Sequence, residues 1–155
     1  MTTTLPAKPS VPISMARSYF PPEDIEIFHA EADKILRGRV SMGPWVEKFQ
    51  EAAAKAHGTK FAFAANSRTS ALEVSLLACG VEPGDRVIVP VETFIATGMA
   101  VHNIGAVPVF ADIRRETYCL DPDELERLAD DRVKAVIVVH FGGLISPDIE
   151  RIQDV

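Results

Sequence analysis

The sequence predicts an α/β fold in three layers, α/β/α, around a mostly parallel sheet. Three observations predict it. Short apolar runs at residues 61–65, 86–89, 107–110 and 134–139 alternate with segments whose apolar residues recur at helical spacing. Turn-forming residues, as in Val81-Glu82-Pro83-Gly84-Asp85, separate the two kinds of segment. The run Ala135-Val136-Ile137-Val138-Val139 is unbroken, as parallel strands covered on both faces usually are.

Residues 1–21 contain five prolines with Pro22 counted, and little periodicity, so they read as an N-terminal tail on a body spanning 22–155. From Pro22 a helix is predicted to Arg37, with Ile25, Phe28, Ala32, Ile35 and Leu36 on one face and Glu23 and Asp24 in the first turn. Gly38 stops it. Pro44 opens a second helix whose apolar face is Trp45, Val46 and Phe49, and His57-Gly58 ends it. His57 at that helix end suits a capping role better than a catalytic one.

Residues 60–80 then read as strand, tight turn and helix, the helix carrying Ala71, Leu72, Ser75, Leu76 and Cys79 on one side. The corner between them, Asn66-Ser67-Arg68-Thr69, joins two hydroxyls and a guanidinium to the unpaired amides of a helix start. Such a corner either caps the helix through Ser67 or Thr69 or holds an anion, most naturally a phosphate. A second strand-to-helix corner spans 92–101 and closes at Gly105. Asp121-Pro122-Asp123-Glu124 carries cap, proline and acidic residue in the order of a helix start. Ser146-Pro147-Asp148 begins a last helix. Ligands of such sheets sit at the carboxyl ends of the strands, where Ser67–Thr69, Thr93-Phe94 and His140 all fall.

Composition narrows the function classes. The 155 residues fit one domain, with 47% apolar and 25% charged residues as in ordinary globular proteins. A net charge of −6 without a Lys/Arg cluster argues against nucleic-acid binding. No apolar run approaches the ~18–20 residues that cross a bilayer. Cys79 and Cys119 show neither CxxC nor metal spacing and read as buried thiols of a reducing compartment. With no charged-then-apolar leader at the N-terminus, a cytoplasmic location is expected.

Several stretches, taken in order, resemble one family. They are Gly43 with Trp45-Val46-Glu47-Lys48-Phe49, Ala65-Asn66-Ser67-Arg68-Thr69-Ser70-Ala71-Leu72, and Val81-Glu82-Pro83-Gly84-Asp85-Arg86-Val87-Ile88-Val89-Pro90. Thr93-Phe94-Ile95-Ala96-Thr97, the stretch from Gly105 to Ile113, Leu120-Asp121-Pro122, and the run from Lys134 to His140 continue the match. Over 22–155 the chain resembles the DegT/DnrJ/EryC1/StrS aminotransferases, sugar aminotransferases of pyridoxal-phosphate fold type I. The resemblance implies the N-terminal part of the large domain of an aspartate-aminotransferase-like fold, with pyridoxal 5'-phosphate as cofactor. It implies that Ser67, Arg68, Thr69 and Ser70 hold the cofactor phosphate and that Phe94 stacks on its ring. The implied reaction moves an amino group, usually from glutamate, to a keto-sugar or related keto substrate. The implied assembly is a homodimer or a pairing with a complementary C-terminal chain.

Two departures from the family pattern matter. Arg68 stands where the family has glycine, so it either strains the turn or reaches the phosphate or a substrate carboxylate. None of Lys8, Lys34, Lys48, Lys55, Lys60 and Lys134 occupies the family's Schiff-base motif, and the pyridine nitrogen's acidic partner falls beyond Val155. No catalytic residue is therefore expected in this chain, and alone it is expected to bind cofactor weakly and not to transaminate. Two other readings stay open: a sugar dehydratase of the same family, in which histidine replaces the lysine, and a non-catalytic binding or assembly domain.

Overall fold

The computed structural model describes residues 18–155; most of the predicted tail lies outside them. The chain divides into two units, Met1–Ala62 and Phe63–Val155.

In the first unit, helix α1 (Pro22–Arg37) starts on a proline in its first turn, and α2 (Pro44–His57) does the same and closes at Gly58. Both helices form where the sequence predicts them, yet neither has a buried residue. Their apolar faces stay open, with Phe28, Leu36 and Phe49 all exposed.

The second unit holds helix α3 (Arg68–Ala78), strand β1 (Arg86–Pro90), helix α4 (Ala96–Asn103), strand β2 (Val107–Ala111), helix α5 (Pro122–Leu128), strand β3 (Val133–Val136), a 3-10 turn (Phe141–Gly143) and helix α6 (Ile149–Gln153). The strands form a parallel sheet in the order β2-β1-β3. β1 lies in the middle because its residues can be buried on both faces. Val87 and Val89 pack with Leu76, Val81, Val101 and Ala106 on one side. Ile88 packs with Ala111, Leu120, Leu125 and Ile152 on the other. The period-2 alternation of a strand thus makes two cores, and the three-layer α/β/α arrangement follows.

Local chemistry sets the element ends. Asp121 caps α5 by accepting from the Asp123 amide at 3.0 Å. Glu124 does not reach back to complete a capping box and pairs with Arg127 instead. Gly105 turns α4 into β2 with φ of +80°, and a Cβ there would sit 3.1 Å from Pro83. Asp130 ties the start of β3 to the start of β1, bonding Arg132 and Arg86.

Three expectations are corrected. Residues 61–65 form no ladder among the described residues, and Phe63 is 86% exposed. A strand needs a neighbour to satisfy its amides and bury its side chains, and apolar character alone does not supply one. The run at 134–139 is strand only to Val136, with the Ile137 amide adding one further bond to the Ile88 carbonyl of β1, and it is half-buried rather than covered on both faces, because β3 is an edge of this sheet. Cys119 is buried as expected, but Cys79 is exposed at the end of α3, outside both cores.

Leu125 is 1% exposed at the centre of the second core. Leu125→Ala is expected to cost about 2–5 kcal/mol, read as a lower urea midpoint with an unchanged slope. Hydrogen bonding from Arg132, then its charge and that of Arg86, holds the Asp130 carboxyl down at about 2 against an ordinary 3.8. The ionised form therefore favours the folded state above pH 3.8, and that contribution disappears as pH falls toward 2. The group is solvent-exposed and screened, so the effect is small. Asp130→Asn is expected to lower the melting temperature at pH 7, by an amount that shrinks steadily between pH 4 and pH 2.

Candidate active site

The site is assembled where strand ends meet a helix start. Ser67 precedes α3 in extended conformation, and its hydroxyl accepts from the Ser70 amide at 3.1 Å while donating to Ser70 Oγ at 3.0 Å. The cap reading of this corner is therefore realised. The cap leaves two amides over: the N–H groups of Arg68 and Thr69 have no acceptor among the described residues. Two free donors at the positive end of an eleven-residue helix favour negative charge. Arg68 has helical backbone as the first residue of α3, and among the described non-glycine residues only Met42 and Tyr118 have positive φ. The strained-turn alternative for Arg68 falls away, and its guanidinium is exposed.

β1 ends at Pro90, and the next residues carry Thr93 and Phe94 to the start of α4. Thr93 Oγ1 lies 2.8 Å from Thr97 Oγ1. Thr97 is 1% exposed and has no other hydroxyl partner among the described residues. Its proton is best satisfied by Thr93, because a buried donor left unmade costs about 1–3 kcal/mol. The Thr93 hydroxyl proton is then free for a ligand. Phe94 is 69% exposed, so it belongs to no core, and its ring is available for stacking.

Beyond β3 the chain reaches His140 and then the 3-10 turn. Gly142 and Gly143, with φ of +61° and +86°, let the backbone reverse there. Tyr118 packs its ring against Phe141 with centroids 5.4 Å apart. Ser146, 1% exposed, donates its amide to His140 Nδ1 at 3.2 Å. The Ser146 hydroxyl has no hydrogen-bond partner among the described residues.

These pieces share one open cavity of about 410 Å³, lined by Arg68, Thr93, Phe94, His140, Phe141 and Gly142 together with Val138 and Val139. The size is that of a small-molecule site. Of the predicted residues, the structure brings Arg68 and Phe94 into this cavity. Ser67, Thr69 and Ser70 stand beside Arg68 in the same helix turn but do not line it. The cavity wall contains a guanidinium, a hydroxyl and an imidazole but no carboxylate. A flat aromatic carrying a phosphate suits that wall: Phe94 offers a face, while Arg68 and the two free amides offer donors. Phe141 and Gly142 were not anticipated, although two glycines behind a strand end are a readable signal of a turn at a site. Thr97 and Ser146 act from buried positions that no local pattern marks. No group of His, Cys, Asp and Glu among the described residues could hold a metal ion, and no described helix is long and apolar enough to cross a membrane.

An α/β sheet in which a helix start with free donors and an exposed aromatic face one cavity is a small-molecule site, and comparison with known proteins gives the family of the chain. The profile of the DegT/DnrJ/EryC1/StrS aminotransferase family matches residues 22–155. The chain is similar to the spore coat polysaccharide biosynthesis protein SpsC of Bacillus subtilis, at 40% identity over 132 residues, covering 82% of this chain and 34% of SpsC. It is also similar to the 3-oxo-glucose-6-phosphate:glutamate aminotransferase of Bacillus subtilis, at 34% identity over 144 residues, covering 88% of this chain and 32% of that protein. Among solved structures, NtdA of Bacillus subtilis with bound cofactor PMP superposes with a TM-score of 0.80 at 32% identity, covering 86% of this chain and 31% of NtdA. The chain belongs to the DegT/DnrJ/EryC1/StrS aminotransferase family, a family of pyridoxal-phosphate-dependent enzymes. It spans about a third of the length of the relatives it matches.

Since the Ser146 Oγ–H is buried without an acceptor among the described residues, Ser146→Ala removes an uncompensated desolvation and keeps the backbone amide. The substitution is expected to leave stability unchanged or raise it by about 1 kcal/mol, read from urea melts.

Proposed function

We propose that residues 22–155 are the N-terminal part of the cofactor-binding large domain of a pyridoxal-phosphate-dependent aminotransferase acting on a keto-sugar or related keto substrate. Glutamate is the proposed amino donor, in line with the donor named for the relative 3-oxo-glucose-6-phosphate:glutamate aminotransferase. The observation that carries the reading is the sharing of one cavity by Arg68, at the start of α3, and Phe94, at the start of α4.

In this reading the phosphate is held by the free amides of Arg68 and Thr69, the Thr69 hydroxyl and the Arg68 guanidinium, with Ser67 and Ser70 fixing the turn. Phe94 stacks on the pyridine ring and shields one of its faces from water. Thr93 donates a hydrogen bond beside that ring. Bound there, pyridoxal phosphate supplies an electron sink for charge developing next to the transferred amine. The chain's own share of the chemistry is binding and orientation. The nucleophilic lysine and the pyridine's acidic partner are proposed to come from outside these 155 residues, in an assembly with a second copy or a complementary chain, in the cytoplasm.

The test uses 4'-deoxypyridoxine 5'-phosphate, which lacks the aldehyde and reports non-covalent binding alone. Saturable binding to the chain is expected by calorimetry, with competition by inorganic phosphate and none detectable for unphosphorylated 4'-deoxypyridoxine. Phe94→Ala and Arg68→Ala are each expected to weaken binding by about threefold to thirtyfold, the range of one aromatic contact or one charge-assisted hydrogen bond. Equal binding of the phosphorylated and unphosphorylated probes would sink the phosphate assignment.

A further inference from the structure

Resting on that cofactor reading, we infer that His140 is a ligand-binding residue locked in one tautomer, with Ser146 as its positioning residue. The argument begins at Ser146. Its amide can only donate, it is shielded from water, and its acceptor is His140 Nδ1 at 3.2 Å. A buried backbone N–H without a partner is as costly as a lost hydrogen bond, so the contact persists while the loop keeps its shape. Nδ1 must then present its lone pair, and the proton of the neutral ring sits on Nε2.

The loop is built to keep that shape. Gly143 N–H donates to the His140 carbonyl at 3.1 Å, and Leu144 N–H donates to the Phe141 carbonyl at 3.0 Å. Left-handed Gly142 and Gly143 allow the reversal, and Tyr118 packs on Phe141 from outside. Ser146 in turn accepts from Ile149 as α6 begins. His140 itself is exposed and lines the cavity with Arg68, Thr93 and Phe94.

The consequence is a wall of donors. Arg68 can only donate, the Thr93 hydroxyl is released to donate by buried Thr97, and His140 offers Nε2–H. No carboxylate lines the cavity to compete. The occupant must therefore supply acceptors, and His140 selects for an oxyanion on the ligand, either a phosphate oxygen or a ring oxygen carrying negative charge.

Long-range ¹H–¹⁵N spectra of the histidine rings in the full chain test the tautomer before any ligand is added. The sequence has four histidines, and the His140 signals are those missing in His140→Asn. The expected pattern is an unprotonated, imine-type Nδ1 and a protonated, pyrrole-type Nε2, unchanged in Ser146→Ala because that variant keeps the amide. An Nδ1–H tautomer, or rapid averaging of the two forms, overturns the inference whatever the cofactor does. Titration with 4'-deoxypyridoxine 5'-phosphate then tests use of the donor. His140→Gln keeps a donor near the Nε2 position and is expected to bind within about threefold of wild type, about half a hydrogen bond's worth. His140→Asn keeps an acceptor for Ser146 but offers the cavity no such donor, and is expected to bind about tenfold or more weakly. Equal affinity of the two variants overturns the inference. Absence of probe binding to wild type overturns the cofactor reading instead, and with it the selection by His140, while the tautomer result stands by itself.

Discussion

Strand β1 is the constraint on which the second unit depends. Val87, Ile88 and Val89 have no solvent exposure, and they can reach that state only if helices cover both faces and a strand lies on either side. Parallel pairing follows from the helical crossovers that join β1 to β2 and β2 to β3. Parallel pairing also sends the carboxyl ends of β1 and β3 to the same edge of the sheet. The residues after those ends, Thr93-Phe94 and His140, are thereby delivered to one cavity with the first residue of α3. The site is thus a geometrical by-product of burying three consecutive apolar side chains.

Within the cavity, buried groups decide what exposed groups can do. Thr97 and Ser146 do not line the cavity, yet each uses one hydrogen-bonding function of a neighbour that does and leaves the other free. This division suits an anionic occupant in a protein whose net charge is −6, where long-range attraction for anions is absent. Local donors, rather than the overall field, must supply the affinity. Arg68 adds to the donor set without strain, because its backbone is helical.

The elements legible in advance were those specified by their own residues. α1, α2 and α5 begin on proline with acidic residues behind it, α3 begins on a serine cap, and β1 and β2 are bounded by turn residues. The helix start at Ser67–Thr69 was also readable, from its hydroxyls and unpaired amides, whereas Phe94 was marked only through family resemblance. The misreadings were those in which a partner decides. Residues 61–65 are apolar but join no described ladder, and of 137–139 only Ile137 extends the pairing, its amide donating to the Ile88 carbonyl. Cys79 has helical spacing suited to a core, and only its position at the outer end of α3 exposes it.

What the sequence by itself determined is the α/β alternation, the starts of the helices and the residue types collected at each strand end, since all of these depend on neighbours within a few positions. Only the tertiary structure decided which strand became central, that Arg68, Phe94 and His140 share one cavity, and which nitrogen of His140 is left to donate. Those outcomes rest on placing together residues that lie from six to more than seventy positions apart, where burial and hydrogen-bond satisfaction must be met by the whole sheet at once.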